Sequence, residues 1–265
     1  MTSSGDRATT SAKEATSQLG RALAPIQPRR SGRLGDVVVA HLVDRVVSGA
    51  YPPGTSLPIE SELCDEFNVS RTVVRESIKL IEEKGLAKAT PGRGTRVLDP
   101  KGWNLLDPVV LEAQIRHDIA ILDDLVSVRA ALECDMAAAC ARKITPDQAE
   151  ALRSQAEVLA DCVNDYERYS AEDVTFHEMI MLASGNRLGH AIIRSVHGEA
   201  RRSHRYQGEP SPEELAQSLA EHQQIYQMIV NGDAIGASAV MRTHILMSWA
   251  ARRPKAGTAV PETPE

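Results

Sequence analysis

Residues 70–78 read SRTVVRESI, and this stretch predicts the fold of the N-terminal part of the chain. Ser70 is a favourable N-cap for a helix that runs through Lys84, and Gly85 supplies its C-terminal stop. Apolar residues recur along this helix at helical spacing and predict one buried face: Val74, Ile78 and Ile81. The outward face of its first turns carries Arg71, Thr72 and Arg75.

Two further helices are predicted upstream, over about residues 34–48 and 59–67. The first has a single apolar face, formed by Val38, Leu42 and Val46. Residues 68–69 make the tight turn that joins the second to the basic helix. Two short helices joined by a tight turn, with the second polar and basic, are the plan of a helix-turn-helix unit.

A hairpin wing is predicted after the basic helix. Extended segments at residues 87–89 and 95–98 flank Pro91-Gly92-Arg93-Gly94. Basic residues on a helix are by themselves usually a solvated surface, but a glycine-rich hairpin that carries arginine beside such a helix favours DNA binding. Arginine suits guanine edges or phosphates, and Ser70 with its neighbouring amides suits a phosphate oxygen.

Charge and composition argue against other classes of protein, such as nucleic-acid coats and membrane proteins. The formal net charge of −6 argues against a general nucleic-acid coat. The four cysteines show no C-x-x-C pair and are interpreted as core residues in a reducing cytoplasm. Apolar runs fall far short of the roughly 20 residues that a membrane span needs. A cytoplasmic protein without membrane association is therefore expected.

The fold class predicted is mostly α, a winged helix-turn-helix followed by an antiparallel all-α helical bundle. The predicted division is a disordered tail at 1–33, the winged helix at 34–99, a helical effector-binding and dimerisation domain at 104–252, and a disordered tail at 253–265. Helices of the second domain are placed near residues 104–115, 118–142, 146–167, 170–183, 187–206, 212–231 and 233–251.

Four residues of the second domain have a spacing that suits a metal. Asp173 and His177 are one helical turn apart, and His222 and His244 lie at similar distances on either side of Gly232. An antiparallel helix hairpin would bring these two histidines level. Three imidazoles and one carboxylate suit Zn²⁺, and also Ni²⁺, Mn²⁺ or Fe²⁺. Each histidine taken alone is more often a surface or hydrogen-bonded core residue.

The N-terminal segments resemble the winged helix of GntR-family regulators over residues 35–98. The matching stretches are GAYPPGTSLP at 49–58, SRTVVRESI at 70–78 and GLAKATPGRGTRV at 85–97. The resemblance implies that Arg71, Thr72 and Arg75 make the main DNA contacts, with Gly92 and its wing reaching the minor groove. The DNA-binding residues expected are Ser70, Arg71, Thr72, Arg75, Gly92 and Arg93. The chain departs from the pattern at Ser61, where many relatives carry arginine.

Residues 105–250 resemble the all-helical effector domain of the FadR subgroup of that family. The matching motifs are D-V-T-F-H-x-x-I-x-x-A-S-G-N from Asp173, E-H-x-x-I-x-x-x-I-V-N-G-D from Glu221, and M-R-T-H ending at His244. The resemblance implies that Asp173, His177, His222 and His244 are the metal ligands. Members that bind acyl-CoA lack this set, so a fatty acyl thioester is disfavoured as the ligand.

Two arginines are candidate contacts for an effector. Arg129 lies in the subgroup's R-x-x-x-E motif, which implies that it faces the cavity and pairs with a carboxylate; the alternative is a surface ion pair with Glu133. Arg201 belongs to the predicted helix 187–206, whose apolar face is Leu188, Ile192 and Val196. Basic residues lie on the opposite face of this predicted helix, and they could line an anion pocket, form a subunit contact or face water.

The function expected is a sequence-specific repressor that binds a palindromic operator as a homodimer and responds to a small carboxylate at the metal. Residues 103–111 resemble members that respond to sugar acids. The alternatives are a regulator that senses the metal itself and a helical metalloenzyme. No evident general base lies near the proposed ligands, so an enzyme is not expected.

Overall fold

The computed structural model describes residues 30–202 and 210–253, with side chains at 34–198 and 210–253. The tails predicted for 1–33 and 253–265 lie almost entirely outside these residues. The first helix begins at Arg30, whereas Leu34 was expected, so residues 30–33 are helical.

The N-terminal unit is a winged helix-turn-helix, as predicted. Its elements in chain order are α1 (Arg30–Val47), α2 (Glu60–Phe67), α3 (Arg71–Glu83), β1 (Ala87–Thr90) and β2 (Gly94–Val97). The two strands pair antiparallel. The stretch before α2 adds to the wing, because the amide of Leu57 donates to the carbonyl of Thr95.

Local chemistry explains the turn between α2 and α3. Asn68 adopts a left-handed conformation with φ 49°, which ends α2, and Ser70 Oγ caps α3 by accepting from the amide of Val73 at 3.4 Å. The predicted apolar faces are both buried in one core. They consist of Val38, Leu42 and Val46 from α1 and Val74, Ile78 and Ile81 from α3.

A short 3-10 turn (Pro100–Gly102) leads into the helical bundle. The bundle elements are α4 (Pro108–His117), α5 (Ala120–Ala141), α6 (Pro146–Asp161), α7 (Tyr166–Ser184), α8 (Arg187–Arg202), α9 (Pro212–Val230) and α10 (Ala234–Arg252). The two final helices pack on each other and on α5, and α7 packs on α5 and α6. None of the described helices is long and apolar enough to span a bilayer.

Two predicted helix boundaries were wrong because their caps were not recognised. The helix expected over 146–167 ends at Asp161, and the next one begins at Tyr166, because Asp165 accepts from the amide of Arg168 and caps it. The helix expected from residue 104 begins at Pro108, after the Asp107 side chain accepts from two first-turn amides.

The apolar face predicted for α8 was wrong in part. Val196 is buried as predicted, but Leu188 is 72% exposed, and the inward face is completed by Gly189 and Ile193. Ile193 joins a small cluster with Met136 and Met181. The spacing of apolar residues along α8 allows either the face with Leu188 or the face with Ile193 to be buried. Packing against α5 and α7 selects the face with Ile193.

Helix α4 is shared by the two hydrophobic cores. Val110 and Ala113 belong to the core of the winged helix, whereas Leu111 and Ile115 belong to the core of the bundle. Its last turn also contacts α1, because Asp44 accepts from Arg116 at 2.8 Å and lies 2.9 Å from His117 Nε2. A displacement of α4 is therefore felt by both units.

Gly85 gives a direct test of how the winged helix is fastened to the bundle. Its φ is +75°, and an added Cβ would lie 2.4 Å from the carbonyl oxygen of Gly102, whereas Gly49 (φ +81°) has nothing within 4 Å. We expect Gly49→Ala to lose about 1 kcal/mol of unfolding free energy from backbone strain. Gly85→Ala should lose clearly more in urea unfolding, and equal losses would contradict the close approach.

Candidate DNA-reading surface and candidate metal centre

The residues predicted to contact DNA lie on one exposed part of the winged helix. Arg71, Thr72 and Arg75 are exposed on the first two turns of α3, and Gly92 and Arg93 are exposed at the tip of the wing. Gly92 has φ +72°, which the hairpin turn requires and which a side chain would strain. The surface combines a polar helix N-terminus with a basic wing.

Glu60 is a partner of Arg75 that sequence reasoning missed. Nε of Arg75 donates to the two carboxylate oxygens of Glu60 at 2.9 and 3.1 Å, which joins α3 to the start of α2. The pair is exposed, and such pairs contribute little to stability. Its main effect is to fix the direction of a long side chain.

The four side chains predicted as metal ligands converge in the core of the bundle. Their donor atoms all lie within 4.8 Å of one another, and all four residues are buried. Helix α7 supplies Asp173 and His177, α9 supplies His222 and α10 supplies His244. The helix hairpin formed by α9 and α10 brings the two distant histidines level, as their spacing around Gly232 predicted.

The donor geometry fits a single cation. Nε2 of His177 lies 3.1 Å from Nε2 of His244, and Nε2 of His222 lies 3.2 Å from Asp173 Oδ1. Neighbouring ligands about 2.1 Å from an octahedral ion are about 3 Å apart. Nε2 of His222 is fully buried without a hydrogen-bond partner among the described residues, which is a costly state for a polar atom. These atoms fit a divalent metal.

A second layer of residues holds each imidazole by its other nitrogen. Nδ1 of His177 lies 2.7 Å from Glu133, and Nδ1 of His244 lies 3.1 Å from Glu221. Nδ1 of His222 donates to the carbonyl of Ser218 at 2.8 Å. Such partners fix the ring orientation and leave Nε2 as the coordinating atom.

The sequence analysis assigned no role to three residues around the ligands, Tyr169, Ser218 and Glu221. Tyr169 and Ser218 each lie one helical turn before a predicted ligand. The hydroxyl of Tyr169 lies 3.1 Å from Ser218 Oγ and 3.2 Å from Nδ1 of His222. The i,i+4 spacing is the signal that could have found them.

Burial and neighbouring charges set the protonation of this cluster. Burial and the neighbouring His222 lower the pKa of His244 to about 3, so the ring is neutral, which is the form that binds a metal. Burial opposes ionisation of Asp173, but the surrounding imidazoles outweigh it and hold the pKa of this carboxyl well below its usual range. The cluster therefore contains an ionised carboxylate on Asp173 and a neutral imidazole on His244.

Arg129 lies beside this cluster in a buried network: the ion pair with Glu133 that was the alternative is present, but it is buried and does not lie at the surface. Its Nε donates to Glu133 Oε1 at 2.7 Å, and its Nη1 lies 3.1 Å from Nε2 of His197 on α8. Burial raises the pKa of Glu133, yet Arg129 and His177 outweigh it and hold that pKa well below its usual range. The side chain of Arg201, the second candidate, lies outside the described residues.

In a comparison with known proteins, one family model matches the winged helix and another matches the helical bundle. The family model described as "Bacterial regulatory proteins, gntR family" matches residues 34–97, and the model described as "FCD domain" matches residues 124–246. The transcriptional regulator YieP of Escherichia coli is 33% identical over 58% of this chain and 68% of its own length. A transcriptional regulator of Mycobacterium tuberculosis is 28% identical over 83% of this chain and 89% of its own length.

Other relatives agree with this assignment. The galactonate operon transcriptional repressor of E. coli is 26% identical over 80% of this chain and 94% of its own length. A solved Listeria monocytogenes regulator, Lar, has the same fold, with a TM-score of 0.51, 16% identity and coverage of 82% of this chain and 96% of that chain. These relatives are transcriptional regulators and not enzymes. The chain therefore belongs to the GntR family of bacterial regulatory proteins, in its FadR subgroup, with a DNA-binding winged helix followed by an FCD domain.

Proposed function

We propose that this regulator is a repressor that releases its operator when a small carboxylate binds at a divalent cation held by Asp173, His177, His222 and His244. The observation that carries the proposal is the buried Nε2 of His222, which has no hydrogen-bond partner among the described residues and lies in a cluster whose imidazoles are each held by the other nitrogen. A cation at the centre gives this atom the partner that it needs.

The ligand set suits Zn²⁺ best, and it also suits Ni²⁺, Mn²⁺ or Fe²⁺. Four protein donors leave room for further ligands on a six-coordinate ion, and a bound cation attracts a carboxylate oxygen. Arg129 and Arg201 are the proposed cationic contacts of the effector. Sugar acids are the first class to consider, because one relative is named as the repressor of a galactonate operon.

The operator is read by α3 and the wing. Arg71, Thr72 and Arg75 enter the major groove, Ser70 holds a phosphate, and Gly92 with Arg93 approaches the minor groove. Two copies of the chain form a homodimer, so that two recognition helices match the halves of a palindromic operator.

The effector site and the DNA-reading unit are joined by packed elements. Arg129 contacts both Glu133, which holds His177, and His197 on α8. Helix α8 packs against α4, and α4 shares its residues between the two cores. A ligand that changes the Arg129 network therefore shifts the orientation of the winged helix through α8 and α4, provided that it binds the two arrangements with different affinity.

Arg75→Ala tests the reading helix. We expect at least ~10-fold weaker binding to operator DNA selected from a random library by the unaltered protein, because a base or phosphate contact is lost. The measurement is a gel shift, with circular dichroism and metal content to verify the fold. Arg153→Ala is the matched control, since Arg153 is also an exposed ion-paired arginine but lies on α6. Unchanged affinity for Arg75→Ala would refute the recognition helix.

His177→Ala tests the metal centre. The change removes one proposed ligand, so zinc content measured by mass spectrometry after loading and dialysis should fall well below one ion per chain, while operator binding persists. His190→Ala is the control, because His190 contacts Glu178 outside the cluster, at 3.2 Å. Full zinc content in His177→Ala would show that the ligand set is wrong.

The effector is sought by thermal shift on metal-loaded protein. Galactonate, other sugar acids and small dicarboxylates are compared before and after the metal is stripped with EDTA. A carboxylate that stabilises only the loaded protein and also releases operator DNA supports the proposal. Operator binding that follows zinc concentration, with no response to any of these acids, would instead establish a metal sensor.

A further inference from the structure

The ion pair between Glu60 and Arg75 joins the start of α2 to the recognition helix α3. Nε of Arg75 donates to both carboxylate oxygens of Glu60, at 2.9 and 3.1 Å. The two residues lie on different helices, so the packing of α2 on α3 creates the contact. Glu76, the acid that follows Arg75 on α3, pairs instead with Lys79 of its own helix at 2.7 Å. Two neighbouring acids at this surface therefore have different partners.

The hydrogen bonds of this pair engage one side of the Arg75 guanidinium. Both bonds leave from Nε, whereas most N–H donors of an arginine are on its two Nη atoms. The side chain of Arg75 is 62% exposed, so a ligand at the surface can reach its Nη edge. Two Nη groups can donate in parallel to O6 and N7 of guanine, which is the commonest base-specific contact of arginine in the major groove.

The pair changes what Arg75 can bind more than it changes stability. A free arginine side chain has many rotamers and reaches phosphates from several directions, and phosphate contacts carry no sequence information. A guanidinium held at Nε loses fewer rotamers when it binds a base, so the entropic cost of ordering it is smaller. The Glu60 carboxylate also offsets the charge of Arg75, which weakens the general attraction to DNA phosphates. Both effects favour a base contact over a phosphate contact.

We propose that Glu60 is a specificity-determining residue of the DNA-binding surface, which acts through Arg75. It directs the Nη edge of Arg75 toward a guanine in the major groove, and its negative charge lowers the affinity for DNA of any other sequence. Glu60 is a positioning residue, because Arg75 makes the contact with the base. The inference rests on the proposed role of Arg75 in the recognition helix.

Glu60→Ala tests the proposal through two affinities that should change in opposite directions. Fluorescence anisotropy at one fixed salt concentration compares operator DNA, selected by the unaltered protein, with a scrambled duplex of equal length. Affinity for the scrambled duplex should rise, because a negative charge is removed, and affinity for the operator should fall, because Arg75 is no longer held. The ratio of the two affinities should therefore fall at least ~5-fold.

Glu76→Ala is the matched control, because it removes an equal charge from α3 and leaves the pair of Arg75 intact. Its affinity ratio should equal that of the unaltered protein. In the Arg75→Ala background, adding Glu60→Ala should lower the ratio no further, since the positioned residue is absent. An unchanged ratio in Glu60→Ala, an equal fall in Glu76→Ala, or a further fall in the double variant would each overturn the proposal. Unchanged operator binding by Arg75→Ala alone would be a different failure, because it would refute the recognition helix and this inference with it.

NMR of the arginine Nε–H groups follows the hydrogen bond itself in the full-length protein. The Arg75 signal is identified by its absence from the spectrum of Arg75→Ala. This Nε–H should exchange slowly with water in the unaltered protein and faster in Glu60→Ala. The slow exchange should persist in the operator complex, where Glu60 still holds the side chain. Fast exchange in the complex would show that DNA displaces Glu60, so that the carboxylate competes with DNA for Arg75, and the proposal would be wrong.

Discussion

The helical domain is organised around three imidazoles and a carboxylate that meet in a dry core. Polar groups in such a position are tolerated only when each one has a partner, so the cluster imposes requirements on every helix around it. Helix α5 must place Glu133 beside His177. Helix α9 must place Ser218 beside its own His222 and Glu221 beside His244 of α10. The Nε2 atoms are left facing one centre, which is the basis for the proposed metal.

This arrangement also explains why a change at the cluster need not remain local. Glu133 is bonded to Arg129, Arg129 contacts His197, and α8 rests on α4. Because α4 contributes to both hydrophobic cores, the winged helix has no core that is independent of the bundle. A series of packed contacts of this kind has few intermediate arrangements, so small shifts are passed on as movements of whole helices.

Two arginines show how burial and exposure decide the role of a charge. Arg129 is buried, is paired with Glu133 and belongs to the second layer of the cluster. At the surface, the Glu60 carboxylate directs Arg75, which is exposed and costs little to orient.

The sequence by itself determined the local elements: the α3 helix with its Ser70 cap, the wing glycines, the paired spacing of Asp173 and His177, and the resemblance that named the family. Tertiary structure decided which way helices are rotated and which side chains meet. It turned Ile193 inward where Leu188 was expected, and it brought Glu133 to His177 and Glu60 to Arg75. Periodicity fixes the spacing of residues along one helix, but the rotation of that helix depends on the surfaces packed against it, which are distant in sequence.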